Sequence, residues 1–295
     1  MIGIIGAGAW GSAIFHALSV RNKDVFITSR KKRNIQKFVT LEEIFKNEYI
    51  VIVIAAQFIR EFIQKYKKNL KNKKILVASK GIDNKELKFL NEIFEEYLDS
   101  ENICFLAGPS FAKEVKENKP TALVVAGNKK IANEFGLFFP PFIKTYISDD
   151  IYGVEVAGAY KNVIAIAAGI CEGLNLGENA KAALIARGLV EIARFGEFFG
   201  AKKNTFLGVA GAGDLFLTAN STMSRNFRVG LNLAKGKLLN DILNELGEVA
   251  EGVYTTKAIY EIAKKENIYT PIANEVYKII YENKKVKNSL KDLLS

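Results

Sequence analysis

The stretch Ile2-Gly3-Ile4-Ile5-Gly6-Ala7-Gly8-Ala9-Trp10-Gly11-Ser12-Ala13 decides how this chain folds. An apolar run meets glycines spaced G-x-G-x-x-G and continues into an apolar helical segment, which reads as strand, tight turn and helix. Each glycine has a physical reading. Gly6 permits the turn, Gly8 lets the backbone approach a pyrophosphate with no side chain in the way, and Gly11 lets the helix pack closely on the strand. The helix N-terminus then offers unpaired backbone N–H groups to the diphosphate. Glycine clusters also make ordinary turns; the strand before and the helix after favour a dinucleotide site here.

Further strands are predicted at residues 24–28 and 48–55, the second carrying the continuous run Tyr49-Ile50-Val51-Ile52-Val53-Ile54 of a strand buried on both faces. A helix near 58–69, a strand at 74–78, a helix at 85–97 and a strand at 103–107 follow, then short strands at 122–126 and 144–147 around Pro140-Pro141. This alternation predicts a Rossmann-type, doubly wound, mostly parallel sheet. From about Asp149 alanine- and glycine-rich helical segments take over. Residues 151–174 read as a buried central helix whose small residues admit close neighbours, with further helices at 180–199, 226–234, 238–246 and 255–267. The expected division is a dinucleotide-binding domain over 1–148 and a helical domain over 149–295. The lysine-rich end, 283–295, is expected to be a solvated, partly frayed helix.

A chain of 295 residues that is 49% hydrophobic has material for sizeable cores. The glycine turn begins too early for a cleavable signal, and apolar stretches such as 163–171 fall short of the ~20 residues of a spanning helix. A cytoplasmic protein with no membrane insertion is expected. Cys104 and Cys171 lie in apolar surroundings without metal-type spacing and read as small buried hydrophobes, with neither disulfide nor metal. The net charge of +10 is carried by lysines scattered along the chain, which argues for an anionic small substrate and not for nucleic acid. His16, the single histidine, reads as a helix-face residue, so acid–base chemistry falls to Lys, Tyr, Asp or Glu. Oligomeric state stays open, a homodimer included.

Where an acid normally holds the adenosine ribose, at the end of the second strand, the sequence reads Thr28-Ser29-Arg30-Lys31-Lys32-Arg33. Arginine there accommodates a 2′-phosphate, which favours NADPH over NADH; Arg30 and Arg33 are two of only eight arginines. The carboxyl ends of later strands supply Ser79-Lys80-Gly81 and Ala107-Gly108-Pro109-Ser110-Phe111. Lys80 is placed to reach a phosphate or a carbonyl oxygen, and Ser110 to cap a helix. Read alone, these are a surface lysine and a turn. In Ala157-Gly158-Ala159-Tyr160-Lys161-Asn162, one lysine stands inside an apolar helix, where burial lowers its pKa toward the range of proton exchange unless its stem snorkels to solvent. Gly211-Ala212-Gly213-Asp214 offers a carboxylate to hold that lysine, and Ser224-Arg225-Asn226 an arginine and an amide for a phosphate.

Taken in order with Glu248-Val249-Ala250-Glu251-Gly252, these stretches resemble the NAD(P)-dependent glycerol-3-phosphate dehydrogenases of bacteria over nearly the whole chain. The resemblance implies an all-helical substrate and catalytic domain and NADPH- or NADH-dependent reduction of dihydroxyacetone phosphate to sn-glycerol 3-phosphate, for phospholipid synthesis. It implies Lys161 as proton donor and acceptor. It places Lys80, Gly108, Ser110, Asp214, Ser224, Arg225 and Asn226 on the substrate. Gly6, Gly8, Trp10, Gly11, Arg30, Arg33, Ala112, Val249 and Glu251 fall to the cofactor, which shares Lys80 and Arg225. Residues 217–223 match the family pattern less easily.

Rival readings fare worse. A β-hydroxyacid or 6-phosphogluconate dehydrogenase places its partner asparagine farther from the lysine than Lys161-Asn162. A histidine-dependent 2-hydroxyacid dehydrogenase has only His16 to use, and the short-chain Tyr-x-x-x-Lys pattern occurs only at Tyr281 to Lys285, in the polar tail. An NADPH-binding regulator of nucleic acid lacks a helix-turn-helix with a basic face.

Overall fold

A computed structural model of the chain describes residues 1–247 and 249–294. Glu248, which opens one of the stretches carrying the resemblance, and Ser295 lie outside the described residues. Seven strands form one sheet: β1 (Ile2–Ile5), β2 (Val25–Thr28), β3 (Tyr49–Ile52), β4 (Lys74–Val77), β5 (Ile103–Ala107), β6 (Thr121–Gly127) and β7 (Ile143–Ser148), in the order β2-β1-β3-β4-β5-β6-β7. All neighbours pair in parallel except β5 with β6. The chain leaves β1 toward β2 on one side and returns to β3 on the other, so a crevice opens at the carboxyl ends of β1 and β3.

The glycine turn fills that crevice as its spacing predicts. Gly6 has φ +118, and a Cβ on it would lie 2.2 Å from the Val53 carbonyl oxygen. A Cβ on Gly11 would lie 1.8 Å from the Gly6 oxygen, so helix Ala9–Arg21 reaches its place on the sheet only with glycine there.

After Ser148 every described element is helical. The central helix, Ile151–Gly173, is buried among its neighbours along most of its length. Its crossing with helix Arg225–Ala234 explains the small residues: a Cβ on Gly169 would strike the Phe227 oxygen at 2.0 Å, and one on Gly230 the Ile166 oxygen at 1.9 Å. This helix is long and apolar enough to cross a membrane, which corrects the expectation drawn from 163–171, but the qualifying stretch is entirely buried within the protein.

Several elements differ from the sequence reading, and helix Lys129–Phe138, capped by Asn128, was not among those predicted. The helix expected at 85–97 is confined to Leu90–Glu95; the Asp83 carboxylate accepts the Glu86 amide at 2.9 Å and Leu87 turns left-handed at φ 58, so 81–89 form a loop. Helix Pro271–Tyr281 was not anticipated, although Thr270-Pro271 and the spacing of Ile272, Val276, Ile279 and Ile280 signal it. The terminal helix, Val286–Leu294, packs on the helical core through Val286 and Leu293, and Arg187 donates to the Leu293 carbonyl, so it is not solvated all round.

Candidate active site

A cleft of about 900 Å³ runs from the glycine turn, past the ends of β3, β4 and β5, to the helical half. It brings together Gly8, Trp10, Gly11, Arg33, Lys80, Ser110, Ala112, Lys161, Ser224, Arg225, Asn226, Val249 and Glu251 of the sequence candidates. Gly6 and Gly108 shape its floor from behind: Gly108 has φ +125, and a Cβ there would meet the Ala122 oxygen at 2.7 Å. Arg30 is exposed on the loop after β2, outside the lining. Among the described residues, seven lining side chains are cationic and only Glu251 is acidic, so the field in the cleft favours anions.

Gly8 separates from the other two glycines of the turn. Its φ is −74 and a Cβ on it would meet nothing within 4 Å, so neither backbone strain nor packing demands glycine. What a side chain there would obstruct is the cleft itself. Helix Ala9–Arg21 starts at Gly8 with no side-chain cap and no acid in its first turn, which leaves its N-terminal end available to an anion. The cradle fits a dinucleotide diphosphate.

At the centre, Asp214 opens helix Asp214–Ala219 after a π-helical turn, Val209–Gly213, that glycine makes possible: a Cβ on Gly211 would lie 2.2 Å from the Phe206 oxygen. The Asp214 carboxylate, 1% exposed, accepts from Lys161 Nζ at 2.5 Å and from Lys80 Nζ at 2.9 Å. Thr218, one helical turn on, accepts from Lys161 at 3.0 Å while its hydroxyl donates to the Asp214 carbonyl at 2.6 Å. Lys161 does not snorkel: it is 8% exposed and paired on two sides.

Desolvation pulls the Lys161 ammonium down to about 8, against the attraction of Asp214 and with the repulsion of Lys80. Burial works to raise Asp214, but the two ammonium groups outweigh it and hold the carboxyl below its ordinary value. Burial raises the Glu251 carboxyl, opposed by Arg225, Lys80 and Lys161. Asn226 Oδ1 accepts the Gly252 amide at 3.0 Å, which ties helix Arg225–Ala234 to the start of helix Glu251–Lys265. Ser224 caps its helix through the Phe227 amide.

Ser110 departs from expectation. Helix Ala112–Lys116 begins at Phe111 without a side-chain cap, and the Ser110 hydroxyl donates to the Gly108 carbonyl at 3.0 Å, because it stands one residue too early to cap. Thr218 escaped the sequence reading, although its i+4 spacing from Asp214 on one helix was available. Asn162, Lys113, Lys116 and Arg228 also line the cleft without having been singled out.

Comparison with known proteins gives a consistent result. Residues 34–133 match the family model described as NAD-dependent glycerol-3-phosphate dehydrogenase N-terminus, and residues 150–291 the C-terminus model of the same family. The glycerol-3-phosphate dehydrogenase (NAD(P)+) of a Nitratiruptor species is 58% identical over 95% of this chain and 93% of its own; that of Campylobacter lari is 56% identical over 100% and 97%. The crystal structure of glycerol-3-phosphate dehydrogenase from Coxiella burnetii superposes with a TM-score of 0.93 at 31% identity, covering 100% of this chain and 98% of that one.

Proposed function

The chain belongs to the NAD-dependent glycerol-3-phosphate dehydrogenase family, and from that premise we propose which of its residues carry the reaction. The reaction is the reversible NAD(P)H-dependent reduction of dihydroxyacetone phosphate to sn-glycerol 3-phosphate. When bound, the reduced nicotinamide supplies a hydride to the substrate's carbonyl carbon. Lys161, as an ammonium, gives a proton to the carbonyl oxygen; in the reverse direction the neutral amine takes it from the hydroxyl. Asp214 and Thr218 fix the amine, and Lys80 adds a second cation beside the developing alkoxide.

Arg225 and Asn226, with Ser224 capping their helix, hold the substrate phosphate, while Gly108 and Ser110 form the facing wall. The turn of Gly6, Gly8 and Gly11 would hold the diphosphate of the cofactor, and Trp10, Ala112, Val249 and Glu251 would hold the rest of it in the cleft. Arg33 in the cleft, with Arg30 on the same loop, favours NADPH through the 2′-phosphate. Residues 1–148 thus bring most of the cofactor's contacts, with Val249 and Glu251 added from the helical part, and residues 149–295 bring the proton and the phosphate grip.

The observation that carries this reading is one carboxylate holding a lysine from each half at the centre of a cationic cleft. We place the enzyme in the cytoplasm, beside the nicotinamide pool and with Cys104 and Cys171 as free thiols, supplying the backbone of glycerophospholipids. Absorbance at the nicotinamide band with dihydroxyacetone phosphate and each cofactor tests the reading. Rapid oxidation, faster with NADPH, is expected; no oxidation with either cofactor contradicts it.

A further inference from the structure

Lys80 is followed by a loop, 81–89, that leaves the sheet half and enters the core of the helical half. Gly81 makes the exit: its φ is +132, and a Cβ on it would stand 2.8 Å from the Ala56 side chain. Ile82 and Phe89 pair across the loop as an antiparallel bridge and are buried in the helical core, where the Phe89 ring meets Tyr152 and Phe199 edge-on at centroid distances of 5.6 and 5.0 Å. Glu155, on the central helix below Lys161, accepts the Asn91 amide just beyond the loop. The loop is a strap between the halves, and Lys80 is the residue that leads into it.

A latch on the sheet side holds the strap. Arg60, on helix Ile59–Leu70, reaches Asp83 at 3.8 Å, Glu86 at 3.0 Å and Glu96 at 2.7 Å; Lys88 adds contacts with Glu86 and Glu96 at 3.3 and 2.7 Å. Asp83 is buried and also accepts the Glu86 amide, so the latch fixes the strap's backbone and not only its surface. On the other side of Lys80, Ser79 donates to the Ile54 carbonyl at 2.5 Å. Lys80 is therefore stretched between two fixed points, with its ammonium delivered to Asp214 at 2.9 Å.

We infer that Arg60 and Asp83, which lie outside the cleft, are positioning residues for the reaction: they hold the strap so that Lys80 stays on Asp214 beside Lys161. The inference rests on the reaction assigned above. Turnover of dihydroxyacetone phosphate by the unmodified chain tests that reading separately, and the Arg60 variants test the strap.

The groups facing Lys161 are Asp214, Lys80 and Glu251, the last neighboured by Arg225. Releasing Lys80 removes a like charge from Lys161, so the alkaline limb of kcat/KM for reduction moves to higher pH. Arg60→Ala is expected to lower kcat by about 10- to 100-fold, the scale of an ångström-sized misplacement. Its NADPH affinity, read from quenching of Trp10, the single tryptophan, is expected to fall by less than kcat, because the glycine turn is untouched and only the Lys80 share of the cofactor site is disturbed. Arg60→Lys restores most of the turnover. Parental kcat and an unmoved limb in Arg60→Ala, or a loss of activity that only tracks the folded fraction, overturns the inference. If Arg60→Ala does not fold, Asp83→Asn keeps an acceptor for the Glu86 amide while discharging the latch. The same fall in kcat and shift of the limb then supports the strap, and their absence overturns it.

Discussion

Lys80 and Lys161 come from opposite halves of the chain and end on opposite oxygens of one carboxylate, 2.9 and 2.5 Å from Asp214. Two ammonium groups on one carboxylate leave an excess positive charge where the reaction develops a negative one. Burial, with the nearby Lys80 charge adding to it and Asp214 opposing, makes the Lys161 proton easier to give up than an ordinary lysine's. Binding and proton transfer thus have one physical origin.

Opposite pH dependences follow for the two directions. Reduction needs the ammonium, so its kcat/KM falls as pH rises through about 8; oxidation of sn-glycerol 3-phosphate needs the amine and rises through the same value. The stability of the free protein carries the matching sign. Between about 8 and the ordinary 10.5 the unfolded chain binds the Lys161 proton that the folded chain has lost, so this residue's contribution to stability grows with pH across that window. Rate profiles in both directions check this, and two profiles falling together would contradict it.

Replacing Asp214 by asparagine keeps the shape of the clamp and removes its charge. Loss of one partner from a buried ion pair costs about 3–5 kcal/mol, visible as a lower midpoint in denaturant. Lys161 then loses the attraction that held its pKa up, so the alkaline limb of reduction moves below that of the parent. A variant as stable as the parent, with the same limb, would show that the carboxylate does not hold the lysine.

Gly8 and Gly11 should part company when each becomes alanine. At Gly11 the new Cβ strikes backbone at 1.8 Å, and the fold loses at least about 1–3 kcal/mol. At Gly8 it meets open space, so thermal stability is kept while NADPH affinity falls about tenfold or more. Melting curves alongside Trp10 fluorescence titrations distinguish the two, and unchanged affinity in Gly8→Ala would remove the diphosphate from this turn.

Arg33 lines the cleft and Arg30 does not. Arg33→Ala is expected to raise the KM for NADPH severalfold more than that for NADH, with a smaller effect from Arg30→Ala. Equal changes for both cofactors would take the 2′-phosphate away from this loop.

The sequence was most legible where one residue type solves one geometric problem. Gly11 is required by a contact the spacing itself creates, with the Gly6 oxygen, and Gly6 by a positive φ in the turn; Ile50 to Ile52 are apolar because both faces of β3 are covered. Lys161 was conspicuous as a charge among small apolar residues, and Asp214 as a charge beside glycines. That Asp214 holds Lys161 was legible too; the second contact, Lys80 on the other oxygen, was not, because the oxygen that Lys80 meets is set by how the two halves pack. Thr218 was hidden for the same reason. Ser110 misled because a serine before a short helix has the composition of a cap, whereas the turn at Gly108 draws its hydroxyl to a nearer carbonyl. Residues 85–89 of the strap read as the start of a helix because their charged residues suit one, and Asp83 draws the Glu86 amide into a turn instead.

If Lys161 moves the proton, Lys161→Ala removes the step itself. Dihydroxyacetone phosphate reduction by the variant, followed at the nicotinamide band, is expected to fall by about 10²–10⁴ in kcat, with NADPH affinity measured on Trp10 nearly unchanged. Retention of most of the parental turnover would contradict the account.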